Sequence, residues 1–206
     1  MPMQMGTTPV GLGHLARHGA APVSPLGVLR ESAALITTAR LTLRPFVEAD
    51  FDLYAEANAN PEVMRFLGGP IDRATSDRQA EGANRSLAEH GYGKVAIERC
   101  SDGAFLGMCG LSREPWYPND LELGWRLLPN YVGSGYATEA GLAWLSYAFS
   151  TLRASRIISI ADASNSRSIA VMQRLGMTLD HTAELSDGDD VFSAAIYSTA
   201  GLSVQM

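Results

Sequence analysis

The stretch LELGWRLLPNYVGSGYATEAGLAWLSYAF, from Leu121 to Phe149, decides the fold. Apolar residues at every second position from Leu121 to Leu127 predict a strand. Pro129 marks its end, because proline has no amide hydrogen to give to a strand ladder. After a glycine-containing run, apolar residues recur at helical spacing from Leu142 to Phe149. The order is therefore strand, glycine-rich turn, helix.

The glycine-rich turn has the features of an anion site. The first turn of a helix has backbone N–H groups without intrahelical partners, and the helix dipole is positive there. Gly133 and Gly135 lack a β-carbon, so a ligand can lie against the backbone, and the turn is suited to phosphate. A P-loop is excluded because no lysine follows Gly135, and Thr138 stands where a dinucleotide-binding turn would have a third small residue. The alternative is a turn whose glycines only relieve strain.

Composition limits the class of protein. The 206 residues, 46% hydrophobic and 18% charged, suit one domain, or one domain and a tail, with a full core. The net charge of −6 gives no overall basic field for nucleic acid or an acidic membrane. No apolar run reaches the ~18 residues of a membrane helix. Cys100 and Cys109 make neither a metal site nor a secreted disulfide framework, so we expect no metal and a cytoplasmic context.

The first 32 residues differ from the rest of the chain. They contain prolines and glycines without a sustained period, and they lack an apolar core long enough for a signal peptide. We expect residues 1–32 to be a flexible N-terminal extension, or the product of a mis-set start codon, before a domain at 33–206. Helical docking of Val10–Ala20 onto a partner is the alternative.

The chain before the glycine turn has several local signals. A two-residue Asp102-Gly103 turn predicts a hairpin of Lys94–Cys100 and Ala104–Ser112 in which paired residue numbers sum to 205. Cys109 then faces Ala96 and lies roughly 13 Å along the sheet from Cys100, which excludes a disulfide between them. The other predicted elements are a strand at Arg40–Phe46 with Leu35–Thr37 as an extension, a helix at Phe51–Asn58 capped by Asp50, a helix started by Asn60-Pro61, and a polar helix at Thr75–His90 ended by Gly91.

The rest of the chain predicts a loop, two strands and a helix. In the loop Glu114–Asp120, Trp116 and Tyr117 either cover a substrate mouth or fold back on the core. The other elements are a strand at Arg156–Ala161, a helix capped by Asn165 and Ser166 that ends at Gly176, and, beyond His181, one strand at Val191–Tyr197.

Strings from both halves of the chain resemble the GCN5-related N-acetyltransferases (GNAT). LELGWRLLPNYVGSGYATEA resembles their acetyl-CoA motif, Gln/Arg-x-x-Gly-x-Gly/Ala, with Gly135 and Ala137 on its fourth and sixth places and Val132 departing from its first. NSRSIAVMQRLGM resembles their second signature, Asn-x-x-Ser before a helix, with Met177 in place of phenylalanine. ARLTLRPF and NPEVMRFLGG resemble the opening of the branch that includes the ribosomal-protein N-terminal acetyltransferases. The strings cover most of Arg40–Met177.

The resemblance implies a fold and an activity. The fold is a mixed α/β sheet, flanked by helices, that splays open mid-sheet with coenzyme A in the split. The activity is acetyl-CoA-dependent transfer to a primary amine, on a protein N-terminus or a small molecule, and a homodimer is left open. Two short helices near the start of the domain line the acceptor pocket. The cofactor-binding residues that the resemblance implies are Leu127, Leu128, Val132, Gly133, Ser134, Gly135, Tyr136, Ala137, Thr138, Asn165 and Arg174.

Acetyl transfer to an amine also requires a general base and a proton donor for the leaving thiolate. Glu122 is the candidate base, because burial of a carboxylate in an apolar strand raises its pKa toward the useful range. The alternatives are a solvated carboxylate or a pair with Arg126 on the same strand face. Ser168, in the second signature, is the candidate proton donor, and Tyr136 and Tyr131 are the next candidates for this role.

Asn165, Arg174 and the function of the chain each have two interpretations. Asn165 is a helix cap as well as a coenzyme A ligand, and Arg174 serves the helix dipole or a cofactor phosphate. The competing function is a non-catalytic GNAT-fold module that binds acyl-CoA or a partner. Such a module would be expected to lack polar groups at Glu122 and Ser168, and this chain has both.

Overall fold

The computed structural model describes residues 34–188 and 190–201, so the expected extension at 1–32 and the Val10–Ala20 alternative lie outside the described residues. Within that part, the helices and strands confirm a mixed α/β fold. In chain order they are β1 (Ile36–Thr37), β2 (Leu41–Arg44), α1 (Glu48–Ala59), α2 (Pro61–Met64), α3 (Arg73–His90), β3 (Lys94–Arg99), β4 (Phe105–Ser112), β5 (Leu121–Leu127), α4 (Tyr136–Ser150), β6 (Arg156–Asp162), α5 (Ser166–Arg174), β7 (Thr178–Asp187) and β8 (Asp190–Ala200).

The strands form one sheet in the order β1-β2-β3-β4-β5-β6-β8-β7. Neighbouring strands are antiparallel except for β5 and β6. These two strands are parallel and pair only at Leu121↔Ile157 and Glu122↔Ile158. Beyond Glu122, β5 continues to Leu127 without a partner on its β6 side. The sheet is therefore split in its middle, as expected.

The two faces of the sheet are covered by different helices. On one face Leu123 of β5 packs with Trp144 of α4 and Met172 of α5. On the other, Tyr54 of α1 and Ala80 of α3 pack in a second apolar cluster. Because side chains alternate along a strand, Glu122, Gly124 and Arg126 project to the α1 and α3 face. No helix in the described ranges is long and apolar enough to cross a membrane.

Helix α1 begins two residues before its predicted cap. Val47 is the N-cap, and Asp50 is the third residue of the helix, so the prediction of Asp50 as the cap was wrong. The Asp50 carboxylate accepts from the Val47 N–H at 2.9 Å and pairs with Arg44 Nη1 at 2.6 Å. This ion pair is buried, and a buried carboxylate needs such a partner. The predicted cap at Asn60 is confirmed, as its Oδ1 accepts from the Glu62 N–H at 2.9 Å.

The β3–β4 hairpin does not have the predicted register. Cys109 pairs with Val95 rather than with Ala96, and the register shifts again between Ile97 and Glu98. The strands are joined by four residues, since the Arg99 N–H donates to the Ala104 carbonyl. Both cysteines are free, as expected, and Cys109 is buried.

Two strands at the edges were not predicted correctly. Leu35–Thr37 does not extend the first strand, because Ile36 and Thr37 fold back as β1 and pair antiparallel with β2. Beyond Gly176, β7 precedes β8, so the C-terminal region has two strands where one was expected. Most residues of β7 are exposed, as suits a strand at the edge of the sheet.

Candidate active site

The glycine turn lies where β5 leaves the split and α4 begins. Gly133 and Gly135 have φ of +86° and +81°, a left-handed region that favours glycine, and Gly135 is the N-cap of α4. No side chain caps this helix, and a β-carbon on Gly133 would meet nothing within 4 Å. The first-turn N–H groups of α4 therefore lack a side-chain cap and lie beside an open surface, which is the geometry that the predicted phosphate site requires.

Arg40, in the β1–β2 turn, contacts the glycine turn. Its Nη1 donates to the Ser134 carbonyl at 3.2 Å, and its guanidinium lies 4.6 Å from the centre of the Tyr136 ring. Its Nε donates to Glu139 Oε2 at 2.6 Å, and Thr38 Oγ1 donates to Oε1 of the same carboxylate at 2.6 Å. No local pattern predicted this contact, because Arg40 precedes Ser134 by 94 residues. The turn thus has a half-exposed arginine beside it.

An open groove of about 610 Å³ adjoins the glycine turn. Arg174, at the end of α5, lines this groove together with Gly135 and Thr138. The full lining is Thr38, Ala39, Gly135, Thr138, Glu139, Leu142, Ala143 and Arg174. Arg174 therefore lies at the same opening as the predicted phosphate turn, and an anion there would meet backbone donors and a basic side chain.

The other predicted cofactor residues present backbone or side-chain groups in different ways. Tyr136 and Ala137 are buried, so their side chains pack in the core and only their backbone faces a ligand at the turn. The Val132 side chain is 46% exposed. Leu127 ends β5, and the Leu128 N–H donates to the Leu106 carbonyl at 2.9 Å, which leaves its other side toward the split.

Glu122 is the buried member of a partly exposed ionic cluster. Its Oε2 is 3.3 Å from Lys94 Nζ and accepts from Ser112 Oγ at 3.2 Å. Glu114 completes the cluster, since its Oε1 is 3.2 Å from the same ammonium group. Both alternatives for Glu122 were wrong, because its side chain is buried and the Arg126 guanidinium contacts Asn58 instead. Burial raises the pKa of Glu122, although Lys94 acts in the opposite direction.

Ser168 lies across the sheet from Glu122. It is half-buried in the first turn of α5, where its N–H donates to the Asn165 side chain at 3.2 Å. This bond confirms the prediction that Asn165 caps the helix. Because α5 packs on the Leu123 face of the sheet, Ser168 and Glu122 are on opposite faces and do not contact each other. The split between β5 and β6 is the place where both faces can be reached.

Ser159 of β6 defines the apex of the split. It is fully buried, and its hydroxyl donates to the Leu123 carbonyl at 2.6 Å. This bond replaces the next backbone bond that a continuing β5–β6 ladder would make at Leu123. The sequence analysis missed Ser159, since a single serine inside an apolar strand has no pattern.

The aromatic residues of the loop after β4 contact the β7–β8 hairpin. Trp116 Nε1 donates to the Ser186 carbonyl at 2.9 Å and its ring packs edge-on against Phe192. The Tyr117 hydroxyl is 2.8 Å from His181 Nε2. These contacts favour the interpretation in which both side chains fold back on the protein.

Known proteins match most of this chain. The family model described as acetyltransferase (GNAT) domain matches residues 40–178. An uncharacterized N-acetyltransferase of Bacillus subtilis, YnaD, is 30% identical over 146 residues, which are 69% of this chain and 81% of that protein.

Solved structures match the fold. The crystal structure of an acetyltransferase from Agrobacterium tumefaciens has 31% identity and a TM-score of 0.69, with 86% of this chain and 99% of that one covered. The spermidine N-acetyltransferase of Vibrio cholerae, solved with CoA and spermine, has a TM-score of 0.64 at 16% identity, with 79% and 96% covered. At that identity the likeness concerns the fold alone.

Proposed function

Because this chain belongs to the GNAT family of acetyltransferases and is an N-acetyltransferase, we propose that it transfers acetyl directly from acetyl-CoA to a primary amine, on a protein N-terminus or a small molecule. The observation that carries the proposal is the uncapped start of α4 behind two left-handed glycines, at the end of the split strand. A neighbour of the same fold was solved with CoA, which supports this class of co-substrate.

The cofactor would extend from the glycine turn into the split. The backbone from Val132 to Thr138 holds the pyrophosphate, with Arg40 and Arg174 as basic side chains beside it. The pantetheine lies along the unpaired side of β5 at Leu127 and Leu128. There it hydrogen-bonds to their backbone groups in place of a partner strand. Asn165 contacts the cofactor from the start of α5.

The chemistry uses Glu122 and Ser168 from opposite faces. The Glu122 carboxylate takes one proton from the neutral amine as the nitrogen attacks the thioester carbonyl carbon. The carbon–sulfur bond breaks, and the leaving thiolate takes the proton of the Ser168 hydroxyl. Solvent then carries the proton held by Glu122 to Ser168, which restores both residues. Transfer is direct because Cys109 is buried with a pKa raised above its ordinary value, so it is a poor nucleophile.

A non-catalytic acyl-CoA-binding module is the second candidate. The observation in its favour is the ion pair between Lys94 and Glu122, which gives that carboxylate a structural partner. Release of free thiol from acetyl-CoA in the presence of an amine panel and N-terminal peptides separates the two candidates, because a binding module releases none. In either case we propose a cytoplasmic location, where both free cysteines stay reduced.

Cofactor binding is tested first by thermal shift with acetyl-CoA, which must increase with ligand concentration. Gly135→Asp should abolish the shift, because a β-carbon there lies 3.5 Å from Arg40 Nη2 and the new carboxylate takes the place of a phosphate. Gly188→Asp is the matched control, since it puts the same side chain at a φ of +60° in the turn after β7. A full shift in the Gly135 variant would place the cofactor elsewhere.

A further inference from the structure

Arg126 is a largely buried cation without an acidic partner among the side chains that the structure describes. No carboxylate in residues 34–188 and 191–201 lies within 4 Å of its guanidinium. Nη1 donates to the Asn58 side-chain carbonyl, the Tyr54 ring centre is 5.9 Å away, and the buried Nε has no hydrogen-bond acceptor. Arg44 shows the contrast, since this buried arginine pairs with two carboxylates.

An unpaired cation in this position is costly to the folded protein. Burial disfavours the charged form, and it lowers the pKa of Arg126 below its ordinary value. Buried charges are normally paired, and a buried donor without an acceptor carries its full desolvation cost. A carboxylate that reached the guanidinium would relieve both deficits with charge-assisted hydrogen bonds.

A cavity of about 380 Å³ lies between α1 and the end of β5, in the part of the fold that contains Arg126. Arg126 itself does not line this cavity, but Leu128, two residues further along the chain, does, and so does Ala57, which precedes Asn58. The complete lining is Leu53, Glu56, Ala57, Asn60, Ala104, Phe105, Leu128, Pro129, Asn130 and Tyr131. A ligand in this cavity would have to extend past its lining to reach the guanidinium.

The charges on this strand face are arranged in order along β5. Glu122 and Arg126 point the same way, four residues apart, which is about 13 Å along an extended strand. Gly124 between them allows the Glu122 and Lys94 side chains to pack against the strand, as a β-carbon there would lie 3.1 Å from Glu122 Oε2 and 3.2 Å from Lys94 Cε. Lys94 on this face is already paired with Glu114 and Glu122. Among the described residues, Arg126 therefore differs from Lys94 in having no carboxylate within 4 Å, and one carboxylate would complete its pairing.

We propose that Arg126 binds a carboxylate of the acceptor, so that the substrate is a primary amine that also carries an acid group. The inference rests on the proposed function: the amine is directed toward Glu122, and the carboxylate anchors the other end of the molecule. Asn58 occupies one nitrogen of the guanidinium and leaves the rest of its donors for the substrate. Arg126 is thereby a specificity-determining residue of the acceptor site.

The test uses matched amines that differ only in a terminal carboxylate or carboxamide, from α-amino acids to 6-aminohexanoic acid. Thiol release at saturating acetyl-CoA gives kcat/KM for each member of a pair. Wild type should have the higher kcat/KM for the carboxylate. Arg126→Met should lower kcat/KM for the carboxylate by about 10- to 100-fold, the range for a hydrogen bond to a charged group, and should leave kcat/KM for the amide unchanged. Arg126→Lys keeps the charge and should lose less. Arg85→Met, on an exposed arginine of α3, should behave as wild type.

Equal use of the two members by wild type, or an equal loss on both in Arg126→Met, would overturn the inference. Thermal shift of the protein saturated with CoA, which has no acetyl group to transfer, gives a readout without turnover with the same pairs, and there too the carboxylate must stabilise more than its amide. Failure of the proposed function has a separate signature, because wild type would then release no thiol with either member of any pair.

Discussion

Replacement of Lys94 by methionine should move the acidic limb of the pH–rate profile upward. If Glu122 is the base, the limb follows its ionisation, and the rate rises with pH as the carboxyl group loses its proton. The Lys94 ammonium favours the ionised carboxylate, while burial disfavours it. Without the positive charge, ionisation becomes harder, the pKa of Glu122 rises, and the limb shifts to higher pH.

The size of the shift follows from the ion-pair distance. At 3.3 Å the attraction is about 5 kcal/mol for an effective dielectric constant near 20. The Lys94 side chain is 31% exposed, so solvent screens part of this attraction. An opposite charge at such range typically changes the pKa of a carboxyl group by about 1 to 3 units, and we expect a limb shift of that size.

The assay is steady-state acetylation against pH, once an acceptor is known, for wild type and three variants. Glu114→Gln removes a negative neighbour that raises the pKa of Glu122, so its limb should move to lower pH. Glu122→Gln should lose the limb and about a hundredfold or more in turnover. A limb at the wild-type position in Lys94→Met and Glu122→Gln would remove Glu122 from the mechanism and leave water-mediated deprotonation.

Three further predictions concern stability and cofactor binding. Ser159→Ala leaves the buried Leu123 carbonyl unpaired and should cost about 1 to 3 kcal/mol in urea unfolding; an unchanged midpoint would contradict the role of this bond at the apex. Glu139→Gln weakens the bonds to Thr38 and Arg40, so it should weaken acetyl-CoA binding severalfold in titration calorimetry, and equal affinity would refute a role for this contact. A variant starting at Ala33 should keep its Tm, since residues 1–32 show no periodicity; a drop of many degrees would mean that they dock on the domain.

Local signals predicted most of the elements that form the site. The period of two located β5, and the caps at Asn60 and Asn165 and the glycine ends at Gly91 and Gly176 marked helix boundaries. These signals succeed because each depends on neighbours within four residues, and the backbone geometry of a turn or cap restricts the residue types that fit.

The hairpin register was wrong because the turn has four residues between Arg99 and Ala104 instead of two and because β4 has a bulge, neither of which the Asp-Gly signal encodes. Ile97 pairs with Gly107 and Glu98 with Phe105, so Leu106 is an extra residue on β4. Gly107 has a φ of +136°, and a β-carbon there would lie 2.2 Å from the Arg126 carbonyl. The close approach of the neighbouring strand requires this glycine, and only the folded sheet shows that approach.

The chemistry of Glu122 was only half visible in the sequence. Alternation along β5 gave the correct face, but its ion-pair partner Lys94 is 28 positions earlier on another strand. Arg126 illustrates the same limit, since a position on the same strand face, four residues away, suggested a pair with Glu122 that the fold does not form. Partners of buried charges depend on strand order, which periodicity does not determine.

The short pairing of β5 with β6 gives the sheet a strand edge in its interior. Natural proteins protect the outer edges of sheets, because unpaired N–H and C=O groups recruit other chains. Here the shape of the split protects the edge of β5, since β6 separates from β5 and leaves a wedge-shaped gap whose narrow end lies at Ser159. A partial opening that separates the strands beyond this bond would expose the edge, so aggregation on heating should begin from this state and acetyl-CoA should delay it.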